Sequence, residues 1–277
     1  MDAALTDCHL HIIDPARFPL ADGPGYRPAP HETGAREEAD VVFARNGIVR
    51  AVFVQPSGYA YDNAALLDAV SRAPKRFRAI AVIEGAETDA ALENLAGRGV
   101  VGLRFNLASF DGGALSGSGA TRLLERIRAL GWFAQIHARD EQWADVAPLL
   151  LASRVTVLVD HFGIGGRGLG IEAPGFRAVL GLGRSGRAVV KLSAPFRSAD
   201  PADGYAAIAP HVEALFEAFG PDRRLWGSDW PFLALPGRID YEASLAALSR
   251  WLPDPTDREA VLVRNPARLF DFREVLP

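Results

Sequence analysis

The stretch VTVLVDHF, residues 155–162, sets five apolar or β-branched residues in a row and then stops on an aspartate and a histidine. A strand with one wet face alternates apolar and polar side chains. This one does not alternate, so both of its faces must be covered. That is the pattern of a parallel strand inside an α/β domain, with polar residues held back to its C-terminal end.

Seven more runs of the same kind lie on either side: LTDCHLH (5–11), RAVFVQP (50–56), FRAIAVI (77–83), GVVGLRF (99–105), GWFAQIHA (131–138), AVVKLS (188–193) and RLWGSDW (224–230). Between them are helical segments such as EEADVVFARNG (37–47), ATRLLERIRALG (120–131) and YAAIAPHVEALFEAFG (205–220), which end on glycines where a left-handed cap belongs. Eight strands alternating with helices predict a distorted (β/α)8 TIM barrel, with an open doubly wound sheet as the alternative. No Pro/Ser-rich linker or shift of composition splits the chain, so residues 1–277 read as one domain. Near the C-terminus, TDRE (256–259) reads as a capping box, and Asn265 as a cap followed by Pro266 at the first helical position.

Charge and composition narrow the partners. A net charge of −4 provides no basic field, which argues against nucleic acid and anionic membrane surfaces and in favour of a small molecule. The N-terminus has no basic and apolar leader, and no apolar stretch reaches membrane length, so a cytoplasmic protein without membrane association is expected. The single cysteine, Cys8, cannot form an internal disulfide. In an extended TDCHLH (6–11), His9 and His11 share one face while Cys8 and Leu10 take the other, which makes Cys8 a packing residue.

In a barrel of this class, chemistry sits at the C-terminal ends of the strands. Read in order, the strands end with His9 and His11, Gln55, Arg104 and Asn106, His137, Asp160 and His161, Lys191 and Ser193, and Ser228 and Asp229. Four of the six histidines fall there, and a fifth, His31, follows strand one; histidines scattered over a surface would not. His9, His11, His137 and Asp229 form a plausible shell for Zn²⁺ or Mn²⁺, with a position left for water. The bland reading of His9 and His11 is a hydrogen-bonded pair sealing the core, and His137 could bind substrate instead of metal. Asp229 is the expected general base, because a buried carboxylate needs a metal, a proton or a histidine beside it. His161 joins it as a catalytic residue. Arg104, Lys191, Gln55 and His137 are the expected substrate-binding residues, with the two cations suited to a carboxylate. Arg197 and Arg139, on adjacent loops, have a weaker claim. GIGGRG (163–168) formally matches a dinucleotide fingerprint, but no helix opens directly on it, so no organic cofactor is expected. A non-enzymatic binding barrel would not need so many titratable groups at one rim.

These residues carry a resemblance. The Asp7-x-His9-x-His11 start, His137, VDHFG with His161 and WGSDWP with Asp229 resemble the amidohydrolase superfamily. DCHLHIIDPARFP (7–19), the YRP segment at Tyr26, VQPSGYAYDN (54–63), GLRFNL (102–107) and NPARLF (265–270) narrow it to the amidohydrolase-2 group and its lactonase branch, which includes hydrolases of 2-pyrone-4,6-dicarboxylate. The resemblance implies a distorted TIM barrel and a hydrolase that opens the lactone ring of a carboxylated small molecule, of pyrone-dicarboxylate, sugar-lactone or muconolactone type. Other members of the group suggest the alternative, a metal-dependent decarboxylase of an aromatic or muconate-like acid.

Overall fold

The apolar runs become one sheet of eight strands in sequential order, every adjacent pair parallel: β1 (Leu5–Leu10), β2 (Ile48–Val54), β3 (Phe77–Ala81), β4 (Val100–Asn106), β5 (Phe133–His137), β6 (Thr156–Val159), β7 (Ala188–Ser193) and β8 (Arg224–Gly227). The structure is a computed structural model that describes residues 4–22, 26–109, 113–235 and 239–272. Among the described residues seven α-helices connect the strands: α1 (Arg36–Asn46), α2 (Ala64–Ser71), α3 (Asp89–Gly97), α4 (Ala120–Ala129), α5 (Asp140–Ser153), α6 (Pro174–Arg184) and α7 (Ala209–Phe219). This is a (β/α)8 barrel, and the open-sheet alternative falls. None of the described helices is long and apolar enough to cross a membrane.

Closure between β8 and β1 depends on Asp7. Its Oδ1 accepts the backbone N–H groups of His9 (3.0 Å) and Ser228 (3.1 Å), and its Oδ2 accepts the hydroxyls of Ser228 (2.6 Å) and Tyr241 (2.9 Å). The Asp229 N–H then donates to the His9 carbonyl, and the His11 N–H to that of Trp230, both at 2.8 Å. Only glycine fits at Gly227, since a Cβ there would lie 2.5 Å from that of His9.

Inside the barrel the layers change character along the strands. Val52, Val54, Ile80, Phe133, Leu158, Val189 and Leu225 form an apolar base, with Phe270 and Phe272 from the C-terminal segment packed against it. One pleat further on, Arg104 pairs in register with Gln135, and one pleat beyond that Asn106 pairs with His137. Period two therefore delivers Arg104, Gln135, Asn106 and His137 to the interior above the apolar base.

Cys8 departs from simple alternation. Between Asp7 and Leu10 β1 advances three residues while β2 advances two, from Ala51 to Phe53, so the strand is bulged at Cys8 and His9. Cys8 joins the apolar base beneath the histidines instead of facing away from them. It is still a packing residue: it is fully buried, and burial raises its thiol pKa. The C-terminal caps also differ from the sequence reading. Asp254, not Thr256, caps the helix that begins at Pro255. Asn265 lies within helical backbone and donates its side-chain amide to the carbonyls of Pro221 and Arg224, which ties the last helix to the foot of β8. Over residues 205–220 the helix proper starts only at Ala209, because Pro210 lacks the N–H that an earlier start would use.

Candidate active site

Three imidazoles surround one carboxylate oxygen at the C-terminal mouth of the barrel. Asp229 Oδ1 lies 3.4 Å from His11 Nε2, 3.6 Å from His9 Nε2 and 3.8 Å from His161 Nε2. Each ring is fixed through its other nitrogen. His11 Nδ1 donates to the Val54 carbonyl at 2.7 Å, His9 Nδ1 lies 3.2 Å from Asp160 Oδ1, and His161 Nδ1 lies 3.0 Å from Ser193 Oγ. Two of these residues leave their strands through a left-handed turn, Asp229 with φ +66° and His161 with φ +51°. Backbone of that kind in a non-glycine residue is costly and persists where surrounding contacts over-determine it.

The His11 tautomer follows from its partner. A carbonyl can only accept, so His11 Nδ1 carries the proton and Nε2 of the neutral ring presents a lone pair to Asp229. His9 Nδ1 lies 3.2 Å from Asp160 Oδ1 and 3.5 Å from Lys191 Nζ, and its Nε2 is buried with no hydrogen-bond partner among the described residues. Burial holds the His9 pKa down to about 3 and that of His161 well below its usual value. Burial alone would raise the Asp229 carboxyl, but Arg197 and His161 more than offset it and keep it well below the carboxylate range. Electron-pair donors facing one another in a dry site need a cation among them or a proton on one ring. The donor set fits a divalent metal: the ligand atoms of His9, His11 and Asp229 lie within 4.8 Å of one another, as do those of His9, Asp160 and His161.

The expected shell and the observed grouping differ in one member. His137 packs edge-on against His161, with ring centroids 5.2 Å apart, and its Nδ1 lies 3.1 Å from Asn106 Oδ1. The imidazole that faces Asp229 in its place is that of His161. Burial, with Arg104 nearby, lowers the His137 pKa to about 4.

Above this floor is a cavity of about 170 Å³ bounded by His11, His137, His161, Arg104, Arg197 and Asp229, with Tyr26, Asn106, Ser57 and Ser109 also on its wall. Arg104 reaches the wall while its Nε donates to Asp160 Oδ2 at 3.4 Å and its Nη1 to the Gln55 carbonyl at 3.2 Å. Two expected substrate-binding residues are not brought to the wall. Gln55 is fully buried and turns its amide to the carbonyls of Asp62 (2.7 Å) and Ala60 (3.4 Å). Lys191, also fully buried, donates to Gln135 Oε1 at 2.6 Å and lies 3.7 Å from Asp160 Oδ1, beneath the histidines. Burial brings its pKa down to about 8 in spite of Asp160. His31 and Arg139 are exposed and are not among the residues that line the cavity.

Sequence reasoning underrated two residues. Arg197, four positions beyond the end of β7, donates from Nε and Nη2 to Asp229 Oδ2 at 2.8 and 2.5 Å. Asp160, recognised as a strand end but given no role, binds His9, Arg104 and Gln135 at once. The available signal for both was position, at or just beyond a strand end.

The chain is 33% identical over 272 residues to 4-sulfomuconolactone hydrolase of Rhizobium radiobacter, covering 95% of this chain and 89% of that protein. It is 28% identical over 289 residues to 2-pyrone-4,6-dicarboxylate hydrolase of Comamonas testosteroni, covering 99% and 92% respectively. The crystal structure of a probable 2-pyrone-4,6-dicarboxylic acid hydrolase from Acinetobacter baumannii with citric acid bound superposes with a TM-score of 0.82 at 26% identity, over 97% of this chain and 99% of that one. Residues 6–272, from the first strand to the segment that packs under the barrel, match the amidohydrolase family. The chain belongs to that family.

Proposed function

We propose that the protein hydrolyses the ester bond of a small lactone that carries an anionic group. The observation that carries the reading is Asp229: one oxygen clamped by Arg197, the other facing His9, His11 and His161 under a cavity with two arginines on its wall. The names of the related lactone hydrolases support it. Decarboxylation, the alternative, has no such support among these relatives.

Asp229 takes a proton from water as the water oxygen attacks the lactone carbonyl carbon. The ring C–O bond breaks and the ring oxygen receives that proton, leaving an open-chain hydroxy acid. Arg197 fixes the carboxylate so that the proton-accepting oxygen points at the cavity, and His161, oriented by Ser193, borders the attacking water. Arg104 holds the substrate's anionic group as its carboxylate clamp, and His137, a neutral ring with its Nδ1 on Asn106 Oδ1, borders the substrate on the same wall. His9, His11 and Asp229, with His161 beside them, are the residues that would hold Zn²⁺ or Mn²⁺. When bound, such an ion supplies Lewis-acid polarisation and acidifies water. Lys191 and Gln135 support the histidine layer from below.

A panel of carboxylated and neutral lactones, followed by loss of the ester absorbance and by titration of the acid released, tests the reading. Ring opening of anionic lactones is expected. Release of CO₂ without acid formation from lactone would overturn it in favour of decarboxylation.

A further inference from the structure

Glu32 ends a short 3-10 turn (Pro30–Glu32) in the loop after β1 and is 3% exposed. Its carboxylate bridges two loops. Oε1 accepts the Ala234 N–H and Oε2 the Ala29 N–H, each at 2.7 Å, and the Tyr26 phenol donates to the pair at 2.6 and 2.9 Å. Tyr26 and Ala29 belong to the loop after β1, and Ala234 to the loop after β8.

The segment held in this way is under backbone strain. Asp229, Phe232 and Ala234 have φ values of +66°, +68° and +57°, all left-handed and none a glycine. Such a run stays in place only if contacts outside it over-determine the path. Between the last two, the Leu233 carbonyl accepts from Arg197 Nη2 at 3.2 Å, and the same nitrogen donates to Asp229 Oδ2 at 2.5 Å. A continuous line of bonds therefore runs from Glu32 through Ala234 and Leu233 to Arg197 and on to Asp229. Tyr26, Leu233, Ala234 and Arg197 all border the cavity.

We infer that Glu32 is a positioning residue: it clasps the loops after β1 and β8 so that the Leu233 carbonyl holds Arg197 against Asp229. The inference rests on the proposed hydrolysis for its chemical consequence and on the loop contacts for its mechanics. All of these partners of Glu32 are donors, so an amide in its place must turn an NH₂ group towards either Ala29 N–H or Ala234 N–H. Glu32→Gln therefore opens one side of the clasp without changing the size of the side chain.

A double-mutant cycle of Glu32→Gln with Arg197→Met tests the coupling on an anionic lactone. Glu32→Gln alone should lower kcat/KM about tenfold, yet by less than about twofold when Arg197 is already Met, because residues in one bonded network are not additive. Equal losses in both backgrounds would overturn the inference. Hydrogen exchange of amides 229–235 gives a readout that needs no substrate: it should accelerate in Glu32→Gln while β2–β6 are unchanged, and no acceleration there also overturns the inference. If Glu32→Gln does not fold, Glu32→Asp, which keeps the charge but draws it back, enters the same cycle and exchange measurement. A wild-type chain that opens no lactone would refute the proposed function alone, and the exchange comparison would still decide the clasp.

Discussion

Arg197 places two nitrogens on a single oxygen of Asp229, at 2.8 and 2.5 Å, and leaves the other oxygen to the histidines. The two oxygens of the carboxylate are therefore not equivalent. One is occupied by a fixed cation, and in the proposed mechanism the other takes the proton from water. Asp229→Asn keeps the shape and removes that capacity, so lactone hydrolysis should fall at least about a hundredfold with the circular dichroism spectrum unchanged. Near-normal turnover would sink the mechanism.

Arg104 is tied to Asp160 and to the Gln55 carbonyl while still bordering the cavity. Arg104→Met should raise KM for carboxylated lactones far more than for a neutral lactone of similar size, since only the former loses an ion pair. An equal rise for both would assign the arginine to structure alone.

The observed grouping separates the roles of two histidines. Metal analysis of the purified protein should find a stoichiometric divalent ion, lost together with activity in His9→Ala and His11→Ala and weakened in His161→Asn. His137→Asn should keep the ion and raise KM instead, because its ring does not face Asp229 Oδ1. Protein that is free of metal and unaffected by prolonged chelation would leave the positive charge among these donors to a proton.

The acid limb of the kcat/KM profile should be displaced downward. Asp229 is held well below the carboxylate range, and His137 and His9 keep their neutral form down to about 4 and about 3, against an ordinary 6.5. A depressed value extends the unprotonated form to lower pH, so no inflection is expected near the ordinary histidine value. The linkage to stability has a definite sign. The unfolded chain binds these protons first, so the contribution of the two imidazoles is complete above pH 6.5 and is lost as the pH falls through about 4 and about 3. A pH–rate profile with a midpoint at 6.5 would contradict the burial argument.

Asp7 should matter to folding more than to rate. Asp7→Ala leaves the Ser228 and Tyr241 hydroxyls and two N–H groups at the β8–β1 seam without their acceptor. Loss of such buried partners costs roughly 2–4 kcal/mol in total, read as a lower midpoint in urea. Unchanged stability would mean that the seam is closed by its apolar contacts alone.

The fold was legible because its cause is local. Unalternating runs such as VTVLV must be buried on both faces, and glycines such as Gly47 end helices whichever fold contains them. Strand ends gave most of the candidate site: period two carried Arg104, Asn106 and His137 to the interior, and the ends of β1 and β8 brought His9, His11 and Asp229 to one rim. Position along a strand does not fix what a side chain finally meets. The bulge in β1 sent Cys8 inward beneath the histidines, Lys191 and Gln55 found partners before they reached the cavity, and His161 came to face Asp229 where His137 was expected. Arg197 and Glu32 lie on loops, where no periodicity constrains direction, and each meets its partner from a distant part of the chain. The sequence by itself determined which residues are buried and at which end of the barrel the polar ones collect, because hydrophobic periodicity is a property of neighbours. Only the tertiary structure decided which of them touch Asp229, because ion pairs and hydrogen bonds act over a few ångströms between residues that the sequence separates by tens or hundreds of positions.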